Sequence, residues 1–273
     1  MKQSLLYTIT VMLSFISAGA IAQTPPWQSA DPKVRAAVDD LVTANKILAN
    51  EGIFASYGHI SVRDPSDPNR LLISRSLAPD RVTAADIVEL DLDCNPIGGT
   101  HVLLYQERFI HCAIYRARPD VMSVVHSHTP YMITFSVSSV PLRPVINAAQ
   151  MMSSDPVPVY DTSSNKLAEN NLVASLQSGR DLARTLGQGP VVLMRGHGST
   201  VVASTVQKAV ITVIAMEQNA KILLDAKLLG GQITYLDPKN YGNQRINRET
   251  GPEARDWNHL KAKAQKQEGP DTP

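Results

Sequence analysis

Cysteine is scarce: Cys94 and Cys112 are the only two in 273 residues. Two thiols do not make a disulfide-stapled scaffold, so the fold must rest on a hydrophobic core. With 43% hydrophobic and 19% charged residues the chain can build one. In an oxidising compartment the two thiols could pair, but Cys112 falls in an amphipathic helical pattern, which favours two buried free cysteines. An excess of charge of one sign is also missing. Lys and Arg number 26 against 25 Asp and Glu, a formal net charge of +1. That excludes the dense basic surface used to hold nucleic acid or an anionic membrane. No repeat of fixed period and no low-complexity tract occurs before the polar C-terminus, which excludes solenoid architectures.

One apolar run stands apart. After Lys2 it extends from Leu5 to Ile21 and ends in Ala20-Ile21-Ala22, a small-x-small pattern. We read residues 1–22 as a signal peptide with the mature chain starting at Gln23. The protein is then periplasmic or secreted. Ser14, Ser17 and Gly19 interrupt the run and disfavour a membrane anchor. No linker divides the remainder, so residues 23–263 are expected to form one domain, followed by a disordered tail over 264–273.

Within that domain Asp31-Pro32 reads as an N-cap with proline at the first helical position, and apolar residues at helical spacing run from Val34 to Leu48 before Gly52. Short strands follow at Ile60–Arg63, Leu71–Ser74 and Ile87–Leu92. A turn cluster at 64–69 and a capping-box start at Thr83 and Asp86 lie between them. A helix is expected from about Tyr105 to Arg116, then a buried strand over Val121–His126 and a short helix from Thr129-Pro130. Lys166–Leu186 reads as mostly helical with a break near Gly179. Pro190–Arg195 reads as a strand leading into Gly196-His197-Gly198, and Ser204 as the cap of a long helix ending at Gly230-Gly231. From Pro238 the chain turns polar. The order of elements predicts an α/β sheet covered by helices on both faces.

Side chains on a strand alternate faces, so His126 and His128 point the same way at a strand end. A third imidazole, His197, sits between two glycines after another apolar strand. Glu107 opens the helix that feeds the His-Ser-His strand. Three imidazoles and a carboxylate make a first shell for a divalent metal. Each also has a plainer explanation: unrelated strand-end histidines, or a glutamate favoured by the helix dipole. His111, one helical turn from Glu107, is expected to be a packed histidine. His101 and His259 are expected at the surface.

The pieces G58-H-I-S-V-R63, E107-R-F-I-H-C-A-I-Y-R-A-R-P-D120, V124-V-H-S-H128 and R195-G-H-G198 resemble the class II aldolase/adducin superfamily. The resemblance spans roughly Val34 to Gly231. It implies a three-layer α/β/α sandwich around a mainly antiparallel central sheet, and Zn²⁺ held by His126, His128 and His197. It also implies Glu107 as catalytic acid/base and resting-state ligand, and a homotetramer with sites at subunit interfaces. Sugar-phosphate members carry a Gly-Asn-x-Ser element and Thr-Gly and Ser-Ser pairs that cradle phosphate. This chain has Gly58-His59-Ile60-Ser61, Ser74-Arg75-Ser76-Leu77 and Tyr105-Gln106 at those places. These variants are similar to a decarboxylase branch acting on carboxylated muconic semialdehydes or dihydroxyphthalates. On that basis His59 becomes a candidate proton donor. Arg75, with Ser74 and Ser61, becomes a candidate for binding a small carboxylated substrate, and Arg63 a weaker one, since a guanidinium fork matches a carboxylate. Tyr235 or Tyr241 would reach a neighbouring subunit's site. The competing classes are a zinc aldolase, a ligand-free binding module of the adducin kind, and a two-histidine-one-carboxylate iron enzyme.

Overall fold

The computed structural model describes residues 27, 31–99, 102–149, 156–164, 171–237 and 252–267. The proposed signal peptide, His101 and Tyr241 lie outside them. Helix α1 (Pro32–Asn50) starts as the sequence predicts, with the Asp31 side chain accepting from the Lys33 amide, and the chain leaves it through Gly52 at φ +69°. Strands β1 (His59–Arg63), β2 (Arg70–Ser74) and β3 (Ile87–Asp91) form a meander. Helix α2 (Arg108–Ala117), strand β4 (Ser123–Ser127) and helix α3 (Pro130–Ser136) come next. A two-residue strand β5 (Val159–Tyr160), helix α4 (Leu176–Leu186), strands β6 (Val191–Met194) and β7 (Gly198–Ala203), and helices α5 (Val206–Leu228) and α6 (Pro252–Gln267) complete the order. No helix among the described residues is long and apolar enough to cross a membrane.

The seven strands lie in the order β3-β2-β1-β4-β7-β6-β5, antiparallel throughout except for the edge pair β5 and β6. Alternate residues feed two separate cores. Ile60, Val62, Val125, Val191, Leu193 and Val201 pack with α1, α3, α5 and α6. Leu71, Ile73, Val124, Val192, Met194 and Val202 pack with α2 and α4. A sheet covered on both faces has no polar side, so β4 is buried at every position. This is the three-layer α/β/α sandwich that the resemblance implied. It also places the β4 residues His126 and Ser127, and with them the site, at the middle of the sheet.

Several expectations are corrected. Strand β7 was not anticipated: it begins on glycine, and its Gly-Ser-Thr start reads as a turn. Helix α2 starts at Arg108 and leaves Tyr105–Glu107 in the preceding turn. Helix α5 is capped by Thr205, which accepts from the Lys208 amide, and not by Ser204. Helix α4 runs unbroken through Gly179, where a Cβ would collide with the Phe109 carbonyl of α2. Glycine here permits close approach of two helices and does not interrupt one. Residues Ala264–Gln267, placed by the sequence in the tail, belong to α6, whose Trp257 and Ala264 are buried in the α1-side core. Residues 268–273 lie outside the described part. The cysteines are not free thiols: Cys94 and Cys112 form a disulfide that joins the turn after β3 to the middle of α2. The amphipathic pattern correctly buries Cys112, but burial also brings it against Cys94.

Candidate metal centre and its cavity

Glu107 occupies the N-cap of α2, yet its side chain makes no capping hydrogen bond. Its carboxylate turns to the strand ends. Oε1 accepts from the Val173 amide at 3.0 Å. Oε2 stands 3.3 Å from His126 Nε2, 3.2 Å from His197 Nε2 and 4.0 Å from His128 Nε2. His126 Nε2 and His128 Nε2 are 2.9 Å apart, as are His128 Nε2 and His197 Nε2. Strand alternation brings His126 and His128 to one face. The tight turn into β7 brings His197, with Gly196 at φ +64° and Gly198 so close to the Ser127 carbonyl that no Cβ would fit. Arg195 secures that turn by pairing with Asp161 and donating to the Ser136 carbonyl, while Ser136 Oγ accepts from the Gly196 amide.

The protons decide what such a cluster can hold. His126 Nδ1 donates to the Ser199 carbonyl and His197 Nδ1 to the Asn171 carbonyl, each at 3.0 Å. A carbonyl only accepts, so in the neutral rings both Nε2 atoms are bare. Bare nitrogens converging on one another repel unless a cation lies between them. Four donors at about 2.1 Å from one tetrahedral centre stand roughly 3.4 Å apart, close to the 2.9–4.0 Å between the atoms above. Within the four-residue set, the ligand atoms all lie within 4.8 Å of one another. The donor set fits a divalent metal, and the outer hydrogen bonds to Ser199 and Asn171 fix the ring tautomers such a metal requires.

Electrostatics agree. Burial alone would raise the Glu107 pKa, but the His126 and His197 rings beside it outweigh burial and hold the carboxyl well below the usual carboxylate range. Burial, aided by repulsion from His126 and His197, lowers His128 to about 3. Burial also lowers His197, but the hydrogen bond and charge of Glu107 more than offset it and leave its pKa raised.

A cavity of about 440 Å³ opens beside this cluster, with Glu107, His128 and His197 in its wall. The rest of the wall is mainly apolar and aromatic: Tyr57, Leu103, Leu104, Tyr105 and Leu172 line it together with His59. His59 pairs with His126 across β1 and β4, its ring 5.1 Å from that of His126 and 4.5 Å from that of Tyr105. Burial pushes its pKa well below that of an ordinary histidine.

The proposed substrate residues are placed less favourably. Arg75 is absent from the cavity wall, and its Nε donates to Asp86 at 2.7 Å, so it acts as an ion-pair partner. Ser74 lies behind the wall, 3.1 Å from the Tyr105 hydroxyl, and so supports Tyr105. Ser61 is buried and bonded to His111. Arg63 donates to the carbonyls of Val121, Pro68, Tyr115 and Arg118 and is structural. Tyr235 lies beneath the Arg143 guanidinium at 4.1 Å, and His259 is exposed on α6. Sequence reasoning missed Tyr57, Leu172 and the carbonyl of Asn171, none of which belongs to a motif. It also undervalued His111, whose one-turn spacing from Glu107 was the available signal.

Comparison with known proteins agrees with this geometry. Residues 39–224 match the model of the class II aldolase and adducin N-terminal domain. A decarboxylase, tropJ, from Talaromyces stipitatus is 32% identical over 68% of this chain and 74% of its own. A 3,4-dihydroxyphthalate decarboxylase from Arthrobacter keyseri is 30% identical over 71% of this chain and 79% of its own. Among solved structures, an aldolase II superfamily protein from Pseudomonas syringae superposes with a TM-score of 0.74 at 24% identity, covering 89% of this chain and 98% of that one, which bears on the fold. With the matched region spanning most of the chain and all four residues of the cluster inside it, the protein belongs to the class II aldolase and adducin family.

Proposed function

We propose that the protein is a divalent-metal-dependent carbon–carbon lyase, with Zn²⁺ the expected ion. Its substrate would be a small carboxylated enol or hydroxy-aromatic acid of the hydroxymuconate-semialdehyde or dihydroxyphthalate kind, which it decarboxylates. The observation that carries this reading is the Glu107–His126–His128–His197 cluster, set beside a cavity walled mainly by apolar and aromatic side chains, with Ser76 its one small hydroxyl residue, where sugar-phosphate enzymes need several such groups and free N–H groups. The decarboxylases among its relatives support the same choice.

A divalent cation in this cluster supplies Lewis-acid stabilisation of the negative charge that builds up beside the breaking bond, worth several kcal/mol. The chain's own groups do the rest. His59 takes the proton of a substrate hydroxyl on a ring nitrogen. The bond to the carboxylate breaks, CO₂ departs, and the electron pair stays on carbon. His59 then delivers its proton to that carbon. Leu104 and Leu172 shield the departing carboxylate from water, which favours neutral CO₂. Glu107, held ionised by its histidines, keeps the ligand rings in place.

The full chain, loaded with Zn²⁺, should release CO₂ from a dihydroxyphthalate or a carboxymuconic semialdehyde and leave fuculose 1-phosphate intact. Aldehyde release from the sugar phosphate without CO₂ from either acid would establish the zinc aldolase instead. We further propose a homotetramer exported to the periplasm or beyond, supported by a disulfide suited to an oxidising compartment. Also in support, Tyr57 and Leu103 are 74% and 75% exposed at the cavity mouth, where a neighbouring subunit would cover them. Light scattering should give a tetramer mass, and the mature chain should begin at Gln23. A monomer retaining Met1 would remove both.

A further inference from the structure

Behind His59 lies a hydrogen-bonded chain that the metal cluster does not use. His59 Nδ1 is 2.6 Å from His111 Nε2, and His111 Nδ1 is 2.6 Å from Ser61 Oγ. Ser61 Oγ is 2.8 Å from the Tyr115 hydroxyl, which donates to the Met122 carbonyl at 3.4 Å. All four side chains are buried. Secondary-structure periodicity produces the match. Two strand residues rise about 6.6 Å and four helical residues about 6 Å, so the pair His59 and Ser61 on β1 meets the pair His111 and Tyr115 on α2 in step.

The chain has a direction. Its last member is a carbonyl, which only accepts. With the Tyr115 proton directed to Met122, Ser61 is the donor to Tyr115, in a contact whose geometry admits either direction. Ser61 in turn accepts from His111 Nδ1–H. His111 Nε2 is then bare and accepts from His59 Nδ1–H. One proton serves each link. We propose that His111, Ser61 and Tyr115 are positioning residues, a buried relay that holds His59 with Nδ1–H turned inward and leaves bare Nε2 as the nitrogen available to a molecule in the cavity.

The relay explains a cost the fold otherwise bears without return. Two imidazoles and two hydroxyls sit in the middle of an apolar helix–sheet interface, where an unpaired polar group would be destabilising. Fully paired, they specify one ring orientation and one tautomer at the cavity wall. A proton acceptor in the wrong tautomer cannot take a substrate proton, so the geometry assigns His59 the acceptor role before substrate arrives.

The kinetic part of the test rests on the lyase reading; the spectroscopic part does not. In the full-length, Zn²⁺-loaded protein labelled with ¹⁵N-histidine, two-bond proton–nitrogen correlations should report His59 as the Nδ1–H tautomer. Tyr115→Phe and Ser61→Ala should each convert it to a mixture, with bound zinc unchanged. In an active enzyme, kcat should fall about 10- to 100-fold, a partial loss of what a positioned proton carrier contributes, with KM within about twofold. An Nε2–H tautomer in the wild type, or an unaltered His59 spectrum in the variants, would overturn the relay. If Tyr115→Phe does not fold, Ser61→Ala carries the same readout with a smaller change. A correct tautomer in a protein inactive on every acid would leave the relay standing and remove the proposed substrate class.

Discussion

His126→Ala should strip the protein of its bound divalent metal and lower kcat/KM by about three orders of magnitude. Among the four candidate ligand residues His126 is the one whose side chain is wholly enclosed, with Nδ1 committed to the Ser199 carbonyl and Nε2 facing Glu107. Removing it leaves His128, His197 and Glu107, three donors that no longer surround a point. The Lewis-acid contribution of several kcal/mol then disappears with the ion, and each 1.36 kcal/mol is a factor of ten. The strand itself should survive, because β4 is held by backbone pairing to β1 and β7 on both sides. Elemental analysis of the folded variant, with circular dichroism as a check on the fold, reads the outcome. A variant with full zinc occupancy and wild-type turnover would show that His126 is an ordinary buried histidine and that the cluster is not the reaction centre.

Loss of the Cys94–Cys112 bond should produce the second large effect, this time on stability. The two cysteines are separated by 18 positions, and cross-linking a loop of this size constrains the unfolded chain by about 3 kcal/mol in the loop-entropy account. For a domain of this length that corresponds to roughly 6–12 °C in the unfolding midpoint, at about 2–4 °C per kcal/mol. The closed loop also carries Leu103, Tyr105 and Glu107, so it ties the cavity wall and one candidate metal ligand to α2. The double variant Cys94→Ala/Cys112→Ala, or the wild type under reductant, should unfold at the lower temperature in calorimetry. An unchanged midpoint would mean that the packing of α2 against α4 and the sheet already confines the loop.

Local signals carried the candidate metal ligands. His126 and His128 are two residues apart on a strand, so alternation alone puts them side by side. Glycines at 196 and 198 mark the tight turn that presents His197. The core pattern of α1 and its Asp31 cap were equally plain, because caps and periodicity are short-range. What the chain hid depends on pairing between distant segments. Nothing near His59 shows that β1 lies against β4, yet that register sets His59 opposite His126. Arg75 carries the right chemistry for a carboxylate, but Asp86, eleven positions on, is the carboxylate it meets. His111 looked like packing because its partners, His59 and Ser61, belong to a strand about fifty residues earlier. Cys112 looked like a core thiol for the same reason. Strand β7 escaped because Gly-Ser-Thr has the composition of a turn, and only burial between β4 and β6 makes it a strand.

The division of labour around the cavity has a further consequence. The candidate metal ligands sit at strand ends and at a helix start, with His126 and His197 held by backbone carbonyls and Glu107 by the Val173 amide. Tyr57, Leu103 and Leu172 instead come from three separate connecting segments, between α1 and β1, β3 and α2, and β5 and α4. Loops tolerate exchange far better than the elements they join. Selection can therefore rewrite which molecule enters without disturbing how its charge is stabilised, and one scaffold can diversify into many chemistries by editing its rim alone.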